Sequence, residues 1–186
     1  MAIKTFIFEN SASKEKRHAQ VQNALREYTG IDSAEITYTS KGKPMVKGTP
    51  NDIYVSVTTA DEVMVVAFSP KPIGIDGEHM ARFENQTIDR KLDYIALAER
   101  FFTSDEAEYV RDGSAEEAER FAQIWVRKEA YVKYTGEGMS AFSGFSVTDG
   151  IKMFNKVNGV PVKKLNVVFP GSNEYIFMVA SEDSEG

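Results

Sequence analysis

The order of apolar segments along the chain predicts an α+β fold with largely antiparallel sheets. Short runs of β-branched and aromatic residues come first, and a stretch rich in Ala, Glu, Arg and Leu follows at about residues 86–135. Three further apolar runs close the chain. The order is therefore β-α-β-β-β, then helices, then β-β-β, which is typical of α+β proteins.

The first elements are predicted from residue spacing. Residues 3–8 (IKTFIF) have the composition of a strand. Residues 13–29 carry apolar side chains at helical spacing, with Ser13 suited to cap the start and Gly30 suited to end the helix. EITYT at 35–39 is β-branched and aromatic, which predicts a second strand.

A loop, a hairpin and a further strand complete this part. Residues 41–52 are rich in Gly, Pro and Lys and are predicted to form the loop. Residues 53–59 and 62–69 are apolar runs that predict a hairpin, with its turn near Ala60 and Asp61. PIGIDGE, at 72–78, is predicted to be a strand or strand end.

Helices dominate the next part. TSDEAEYV at 103–110 begins with a capping-box pattern, in which Thr103 is followed by Glu106. A long helix is predicted from residue 115 to residue 134, ended by Gly136 and Gly138.

Three strands and a short tail are predicted to end the chain. The strands are FSGFSVTDG at 142–150, VKKLNVVF at 162–169 and EYIFMVA at 174–180. The tail at 181–186, SEDSEG, is predicted to be disordered.

Composition limits the possible functions. The net charge of −6 opposes bulk binding to nucleic acid or to an anionic membrane. The absence of cysteine excludes thiolate chemistry, and two histidines make a multi-histidine zinc site improbable. Because the chain shows no signal-peptide pattern and no apolar run of membrane-spanning length, we expect a soluble, cytoplasmic protein.

Asp76 and Glu78 stand two residues apart after the apolar run VMVVAF. In an extended chain such residues point to one face, so two carboxylates are predicted to lie side by side. Their repulsion and desolvation require compensation, either by a cation or by basic side chains.

Two further stretches could carry chemistry. In WVRKEAYVKYTGEGMS, at 125–140, a helix would bring Trp125, Glu129 and Lys133 onto one face. The plain alternative is an exposed Glu–Lys pair with Trp125 in the core. In KGKPMVKG, at 41–48, Lys43 could bind phosphate, although a solvated basic turn is the better explanation of this stretch taken alone.

Taken together, these stretches resemble the 4′-phosphopantetheinyl transferases. The resemblance rests on GID-x-E followed by W-x-x-K-E-A-x-x-K, with G-K-P upstream, RFFTSDEAEYV between and GEGMSAFSGFSV behind. It covers about residues 41–147. It is closest to the larger, single-chain class that serves carrier proteins of fatty-acid, polyketide and nonribosomal peptide synthesis.

The resemblance implies an enzyme that transfers the phosphopantetheine arm of coenzyme A to a carrier-protein serine, releasing 3′,5′-ADP. It implies Asp76, Glu78 and Glu129 as Mg²⁺ ligands, with Glu129 as general base and Lys133 as a stabiliser of phosphate oxygens. It further implies coenzyme A contacts from the basic and hydroxyl-bearing residues Arg17, Lys43, Thr58, Thr59, Lys128 and Lys133.

Two positions depart from the family pattern. The family usually carries N-x-S-H where this chain has Ser56-Val57-Thr58-Thr59, so a threonine replaces the imidazole. A threonine cannot carry positive charge as a histidine can. Gly77 stands where the family usually has an apolar residue, and we expect the glycine to loosen the strand.

The resemblance also implies a pseudo-dimeric fold of two similar α+β halves with the active site between them. We divide the chain into an N-terminal half at 1–75 and a C-terminal half at 76–180. Since one chain has room for both halves, a monomer is expected.

Two other interpretations remain. A non-catalytic relative would bind coenzyme A or a carrier protein as a regulatory module, and Thr59 and Gly77 motivate that alternative. A Mg²⁺-dependent nuclease would use a similar carboxylate cluster, but the acidic composition and the lack of a basic groove pattern oppose it.

Overall fold

The computed structural model describes residues 3–40, 42–84, 93–112 and 117–182, which form nine strands and five helices. The strands are β1 Lys4–Glu9, β2 Glu35–Tyr38, β3 Pro44–Lys47, β4 Tyr54–Ala60, β5 Val63–Ser69, β6 Ile73–His79, β7 Lys156–Val157, β8 Val160–Lys164 and β9 Tyr175–Ser181. The helices are α1 Lys14–Thr29, α2 Ala81–Glu84, α3 Tyr94–Phe101, α4 Ser104–Arg111 and α5 Glu117–Thr135. The predicted α+β class with antiparallel sheets is confirmed.

The first sheet has the strand order β1-β5-β4, and both pairings are antiparallel. Helix α1 packs on one face through Val21 and Leu25. As predicted, Ser13 caps this helix with its side chain, and Gly30 ends it in the left-handed region at φ 68°. The 53–59 and 62–69 hairpin is also confirmed, with Asp61 in its turn at φ 49°.

A short hairpin, β2–β3, stands beside this sheet and corrects one prediction. Pro44–Lys47 is a strand inside the stretch predicted to be a loop, and Tyr38 is opposite Pro44 in the register. Proline is tolerated here because it is the first residue of the strand. The Gly and Lys content of the segment concealed the short alternation around Met45 and Val46.

The second sheet has the order β6-β9-β8-β7 and is likewise antiparallel. Two predicted strands need correction. Residues 142–150 do not form a strand, because Met139–Gly144 is a 3₁₀ helix that leads into irregular chain. The strand predicted at 162–169 ends at Lys164, and the two-residue β7 was missed.

The layers are helix, sheet, sheet, helix. One face of the first sheet packs on α1, and one face of the second packs on α5 through Met178 and Ala180. The two inner faces meet in a cluster that includes Val65 of β5 and Ile75 of β6. Strand β5 is therefore buried on both faces. Burial of this continuous apolar surface is the main stabilising contribution to the fold.

A seam of side-chain hydrogen bonds joins the two sheets along β4 and β6. The Ile75 N–H donates to the Ser56 hydroxyl oxygen at 3.0 Å, and the Gly77 N–H donates to the Thr58 hydroxyl oxygen at 3.1 Å. Ser56 and Thr58 are two residues apart in a strand, so both hydroxyls lie on the same side. Strand β6 is thus hydrogen-bonded to β9 on one edge and to side chains of β4 on the other.

The space beside Gly77, the residue that we expected to loosen β6, is occupied by an aromatic ring. A Cβ at Gly77 would lie 2.0 Å from the Phe177 ring, so this ring fills the space that a side chain at residue 77 would occupy. Phe177 also stacks on Tyr175, with 5.9 Å between ring centroids. The aromatic side chain of β9 replaces the missing apolar contact.

Some predictions fall beyond the described residues. The start of the helical region near residue 86, the first residues of the long helix at 115–116 and most of the tail, 183–186, lie outside them; Ser181, assigned to the tail, ends β9. The division between residues 75 and 76 and the pseudo-symmetry of two halves stay predictions, and β6 runs across that boundary. None of the helices that the structure describes has the length and apolar character needed to cross a bilayer.

Candidate active site

Strand β6 presents Asp76 and Glu78 on the face that meets helix α5. Both side chains are buried, with 6 % and 9 % of the residue surface exposed. Lys133 of α5 donates to Asp76 Oδ1 at 2.7 Å. The predicted side-by-side carboxylates are therefore present, and α5 supplies their basic neighbour.

Gly74 allows this close approach of strand and helix. A Cβ at residue 74 would lie 2.1 Å from the Ala130 carbonyl oxygen and 2.3 Å from the Tyr134 amide nitrogen. These are backbone atoms of α5 and cannot move aside singly. Glycine at this position thus lets the helix pack directly on β6, two residues before Asp76.

Asp76 has one satisfied oxygen and one without a partner. Its Oδ1 accepts from Lys133 and, at 3.2 Å, from the Thr58 hydroxyl. Its Oδ2 is buried and has no hydrogen-bond partner among the residues described. Burial raises the pKa of Asp76, and the Lys133 ammonium opposes that rise. A buried carboxylate oxygen in this condition is suited to a cation.

Glu78 is held by a residue that the sequence analysis did not identify. Both carboxylate oxygens accept from Arg82 Nη1, at 2.6 and 2.7 Å. Burial raises the pKa of Glu78, the Arg82 guanidinium lowers it, and the negative charge of Asp76 raises it further. Glu78 is in β6 and Arg82 is in α2, so the turn between the two elements brings the guanidinium onto the carboxylate, and sequence spacing alone gave no signal for it.

Glu129 belongs to the same electrostatic neighbourhood. Burial is the largest cause that raises its pKa, followed by the negative charge of Asp76, with a smaller contribution from Glu78. Lys133 acts in the opposite direction. Burial raises the pKa of all three carboxyl groups, and the charge of Asp76 adds to the rise at Glu78 and Glu129, so a positive charge would stabilise this acidic cluster.

The carboxylates of Asp76, Glu78 and Glu129 have the chemistry of ligands for a hard divalent cation, but their side chains do not surround a common point. Within the described ranges, no three acidic, histidine or cysteine side chains lie close enough together to hold a metal ion. The free Asp76 Oδ2 and the oxygen-only character of the three side chains match the preference of Mg²⁺. Binding would require the carboxylate of Glu78 to exchange Arg82 for the ion.

The position of Lys128 contradicts its prediction as a phosphate ligand. Its ammonium lies 2.8 Å from Glu106 Oε2, and neither side chain is exposed. It also donates to the carbonyl oxygens of Phe142 and Phe145, the first at 2.6 Å. Burial lowers the pKa of Lys128, whereas Glu106 raises it. The amine is a core group, on a different side of α5 from Glu129 and Lys133.

Trp125 and the phenylalanines that follow the helix are also core residues. The Trp125 indole stacks on Phe121 at 5.8 Å and meets Phe142 edge-on at 5.5 Å. Phe142 and Phe145 are buried, and Met139 is half exposed. The alternative that placed Trp125 in the core is therefore confirmed. Lys133, however, forms an ion pair with Asp76 of β6, whereas that alternative paired it with a glutamate of its own helix.

A cleft between α1, the β2–β3 hairpin and the first sheet brings together other predicted residues. This α1 cleft has a volume of about 760 Å³, and Arg17 and Thr59 both line it. Its remaining lining includes Lys14, His18, Tyr38, Pro44, Val57 and Met64. The Arg17 guanidinium also donates to the Ser11 carbonyl oxygen.

Thr58 and Lys43 lie outside the α1 cleft. Thr58 is buried and its hydroxyl contacts Asp76 and the Gly77 N–H, so its predicted contact with coenzyme A is contradicted. Lys43 donates to the Lys133 carbonyl oxygen at 3.1 Å and lines a separate cleft of about 600 Å³. Burial lowers the pKa of Lys43. Its neighbours Gly42 and Pro44, however, line the α1 cleft.

Comparison with known proteins identifies the family. The model of the 4′-phosphopantetheinyl transferase superfamily matches residues 72–173. "4′-phosphopantetheinyl transferase psf-1" of Bacillus pumilus is 31% identical over 123 residues, which are 64% of this chain and 48% of that protein. A 4′-phosphopantetheinyl transferase of Bacillus subtilis is 30% identical over 131 residues, 68% of this chain and 54% of its own length.

A third relative matches over a longer part of the chain. "4′-phosphopantetheinyl transferase HetI" of Nostoc is 25% identical over 159 residues, 82% of this chain and 64% of that protein. The chain spans about half the length of the Bacillus relatives it matches. The family match covers β6, α5 and with them Asp76, Glu78, Glu129 and Lys133. The chain therefore belongs to the 4′-phosphopantetheinyl transferase superfamily.

Proposed function

We propose that this chain transfers the 4′-phosphopantetheine arm of coenzyme A to a serine of an apo carrier protein, giving holo carrier protein and 3′,5′-ADP. The observation that carries the proposal is the acidic cluster of Asp76, Glu78 and Glu129 beside Lys133, built from β6 and α5 inside the family match. The relatives carry the name 4′-phosphopantetheinyl transferase.

Asp76, Glu78 and Glu129 would hold Mg²⁺, and the unpartnered Asp76 Oδ2 supports that assignment. When bound, the ion supplies charge neutralisation at the pyrophosphate of coenzyme A and in the transition state. Arg82, which holds Glu78 in this structure, would then be available to the anionic substrate. Thr58 keeps the carboxylate of Asp76 oriented through its hydroxyl.

Glu129 would take the proton of the carrier serine. The serine oxygen forms a bond to the phosphorus that carries pantetheine. The bond from this phosphorus to the bridging oxygen of the pyrophosphate breaks, and 3′,5′-ADP leaves with that oxygen. Lys133 would stabilise the negative charge on the departing phosphate.

The α1 cleft would receive the nucleotide of coenzyme A. Its volume lies in the usual range for small-molecule sites, and Arg17 and Thr59 line it. Lys43 would reach a phosphate by leaving the Lys133 carbonyl, since Gly42 and Pro44 on either side line the cleft. One chain supplies both the acidic cluster and this cleft, which supports a monomer as the active unit.

Intact-protein mass spectrometry tests the proposal. The purified chain is incubated with Mg²⁺, coenzyme A and a panel of apo carrier proteins of fatty-acid, polyketide and nonribosomal peptide synthesis. We expect one carrier to gain the mass of a single phosphopantetheine arm. The gain should be lost with Glu129→Gln and after chelation, whereas Glu137→Gln, an exposed residue beyond α5, should retain it.

The second candidate function is a non-catalytic relative that binds coenzyme A or a carrier protein. The exposed threonine at position 59 favours it, because a hydroxyl replaces the family's imidazole in the α1 cleft. Binding of coenzyme A without a mass gain on any carrier would support this candidate and contradict the transferase proposal.

A further inference from the structure

We propose that His18 of α1 supplies the imidazole that binds the terminal phosphate of a nucleotide in the α1 cleft, taking over the role that position 59 has lost. The inference rests on the proposed binding of coenzyme A. It assigns a phosphate-binding role to a residue on the opposite wall of the cleft from Thr59.

The geometry places His18 where such a ligand would lie. His18 and Thr59 line the same cleft, one from α1 and the other from β4. The Nδ1 atom of His18 is 3.2 Å from the Tyr38 hydroxyl oxygen, and the two ring centroids are 5.8 Å apart. This contact fixes one ring nitrogen, so Nε2 is the nitrogen left for a ligand.

The other basic side chains of the α1 cleft, Arg17 and Lys14, leave phosphate binding open to the His18 imidazole. The Arg17 guanidinium already donates to the Ser11 carbonyl oxygen, at the edge of the cleft. Lys14 is exposed on the first turn of α1 and contributes a mobile charge. Glu15, the acidic residue of the lining, accepts a hydrogen bond from Ser13 at 2.8 Å. Lys14 and Arg17 outnumber Glu15, so the α1 wall carries net positive charge, and the His18 imidazole adds a further polar group to it.

The opposite wall is suited to a base. Val57 of the first sheet and Pro44 of the hairpin give the cleft an apolar lining, and Met64 lies buried behind it. An apolar surface beside a cationic rim matches a nucleoside with a phosphate monoester. In coenzyme A this group is the 3′-phosphate, which 3′-dephospho-coenzyme A lacks. The pair of molecules therefore isolates the contact under test.

Steady-state transfer to a carrier protein is measured with coenzyme A and with 3′-dephospho-coenzyme A. We expect His18→Ala to raise KM for coenzyme A by about 10-fold, the loss of one charge-assisted hydrogen bond, and to leave KM for the dephospho compound unchanged. The double variant H18A/T59H should recover most of the affinity. Lys16→Ala, on the same helix but not in the cleft lining, is the matched control and should change neither value.

Equal KM changes for both compounds, or a double variant no better than His18→Ala, would overturn the proposal. Calorimetric titration with 3′,5′-ADP gives a readout that does not depend on turnover. If the wild-type chain transfers nothing but binds 3′,5′-ADP more tightly than His18→Ala does, the transferase proposal fails and the assignment of His18 stands. Equal binding by both proteins contradicts the assignment.

Discussion

Lys128 and Glu106 form an ion pair in the core, with 2.8 Å between Nζ and Oε2 and no exposed surface on either side chain. Glu106 also accepts from the Thr103 N–H at 3.0 Å and, through Oε1, from the Val147 N–H at 2.7 Å. The pair thus connects α4, α5 and the chain that follows the 3₁₀ helix. Both carboxylate oxygens of Glu106 accept hydrogen bonds, and the Lys128 ammonium has three acceptors, which offsets the cost of desolvation.

Removing one member of this pair should destabilise the protein strongly. We expect Lys128→Met to lower the free energy of unfolding by about 3–5 kcal/mol, since it leaves a buried carboxylate without its counter-charge. The double variant K128M/E106Q should recover part of the loss. The exposed pair Lys4–Glu27, at 2.9 Å, provides the control, because Lys4→Met should change the value by at most about 1 kcal/mol. Urea denaturation measures all four proteins, and equal losses for the two lysine variants would contradict the prediction.

The acidic cluster should lower stability as pH rises when no metal is present. A carboxyl whose pKa is raised on folding contributes its full stability below the unfolded pKa, near 4, and loses it as pH rises through the raised value. Burial raises the pKa of Asp76, Glu78 and Glu129. In chelator, Glu129→Gln should therefore match the wild type at about pH 4 and become the more stable protein toward neutral pH.

Thermal unfolding across this pH range measures the difference, with Glu137→Gln as the exposed control. Millimolar Mg²⁺ should raise the Tm of the wild type near neutral pH and leave that of Glu129→Gln almost unchanged. If the curves of Tm against pH for the wild type and Glu129→Gln stay parallel, the buried, acidic surroundings of Glu129 do not raise its pKa, and the prediction is wrong.

Gly74→Ala should separate the acidic cluster. The added methyl group would meet the Ala130 carbonyl oxygen at 2.1 Å, so α5 must shift away from β6. We expect a loss of about 1–3 kcal/mol in unfolding free energy and a fall of about 100-fold in kcat. Gly144→Ala is a suitable comparison, since a Cβ there has nothing within 4 Å. An active Gly74→Ala enzyme would show that α5 need not touch the strand.

The hydroxyl of Thr58 should matter, and its methyl group should not. Thr58→Val removes both the donor to Asp76 Oδ1 and the acceptor of the Gly77 N–H, whereas Thr58→Ser keeps both. We expect kcat to fall by about 10-fold or more in the valine variant and to stay near the wild-type value in the serine variant. Transfer kinetics with saturating coenzyme A distinguish this from a change in nucleotide binding. A raised KM for coenzyme A with unchanged kcat would contradict this prediction and indicate that Thr58 contacts the nucleotide.

Local patterns predicted most elements of the fold because their causes are local. The Ser13 cap, the Gly30 stop and the spacing of apolar residues in α1 act within a few residues. The 3₁₀ helix at Met139–Gly144 was missed for the opposite reason. The carbonyl oxygens of Phe142 and Phe145 are bound by Lys128, so a contact from another element decides the path of the chain there.

In the site, too, residues placed by local spacing were predicted, and residues placed by contacts between elements were not. Two-residue spacing predicted that Asp76 and Glu78 lie side by side, and four-residue spacing predicted that Glu129 and Lys133 share a helix face. Lys128 was misassigned through its place in the motif, although one helical step turns it about 100° from Glu129. It shares its helix face with Ile124 and Val132, both buried, and this spacing was a readable sign of a core position. Arg82 and His18 needed the fold, since each acts across a gap between elements.

The seam of Ser56 and Thr58 against β6 also constrains how the molecule can move. Separating the two sheets along this line would leave two buried N–H groups without acceptors, at a cost of about 1–3 kcal/mol each. The β2–β3 hairpin is held to α5 through the solvent-accessible ammonium of Lys43 at the Lys133 carbonyl, which water can replace. We therefore expect slow hydrogen exchange at the N–H groups of Ile75 and Gly77 and faster exchange in the hairpin. The acidic cluster on β6 would then be rigid. Entry of the nucleotide into the α1 cleft would depend on movement of the β2–β3 hairpin.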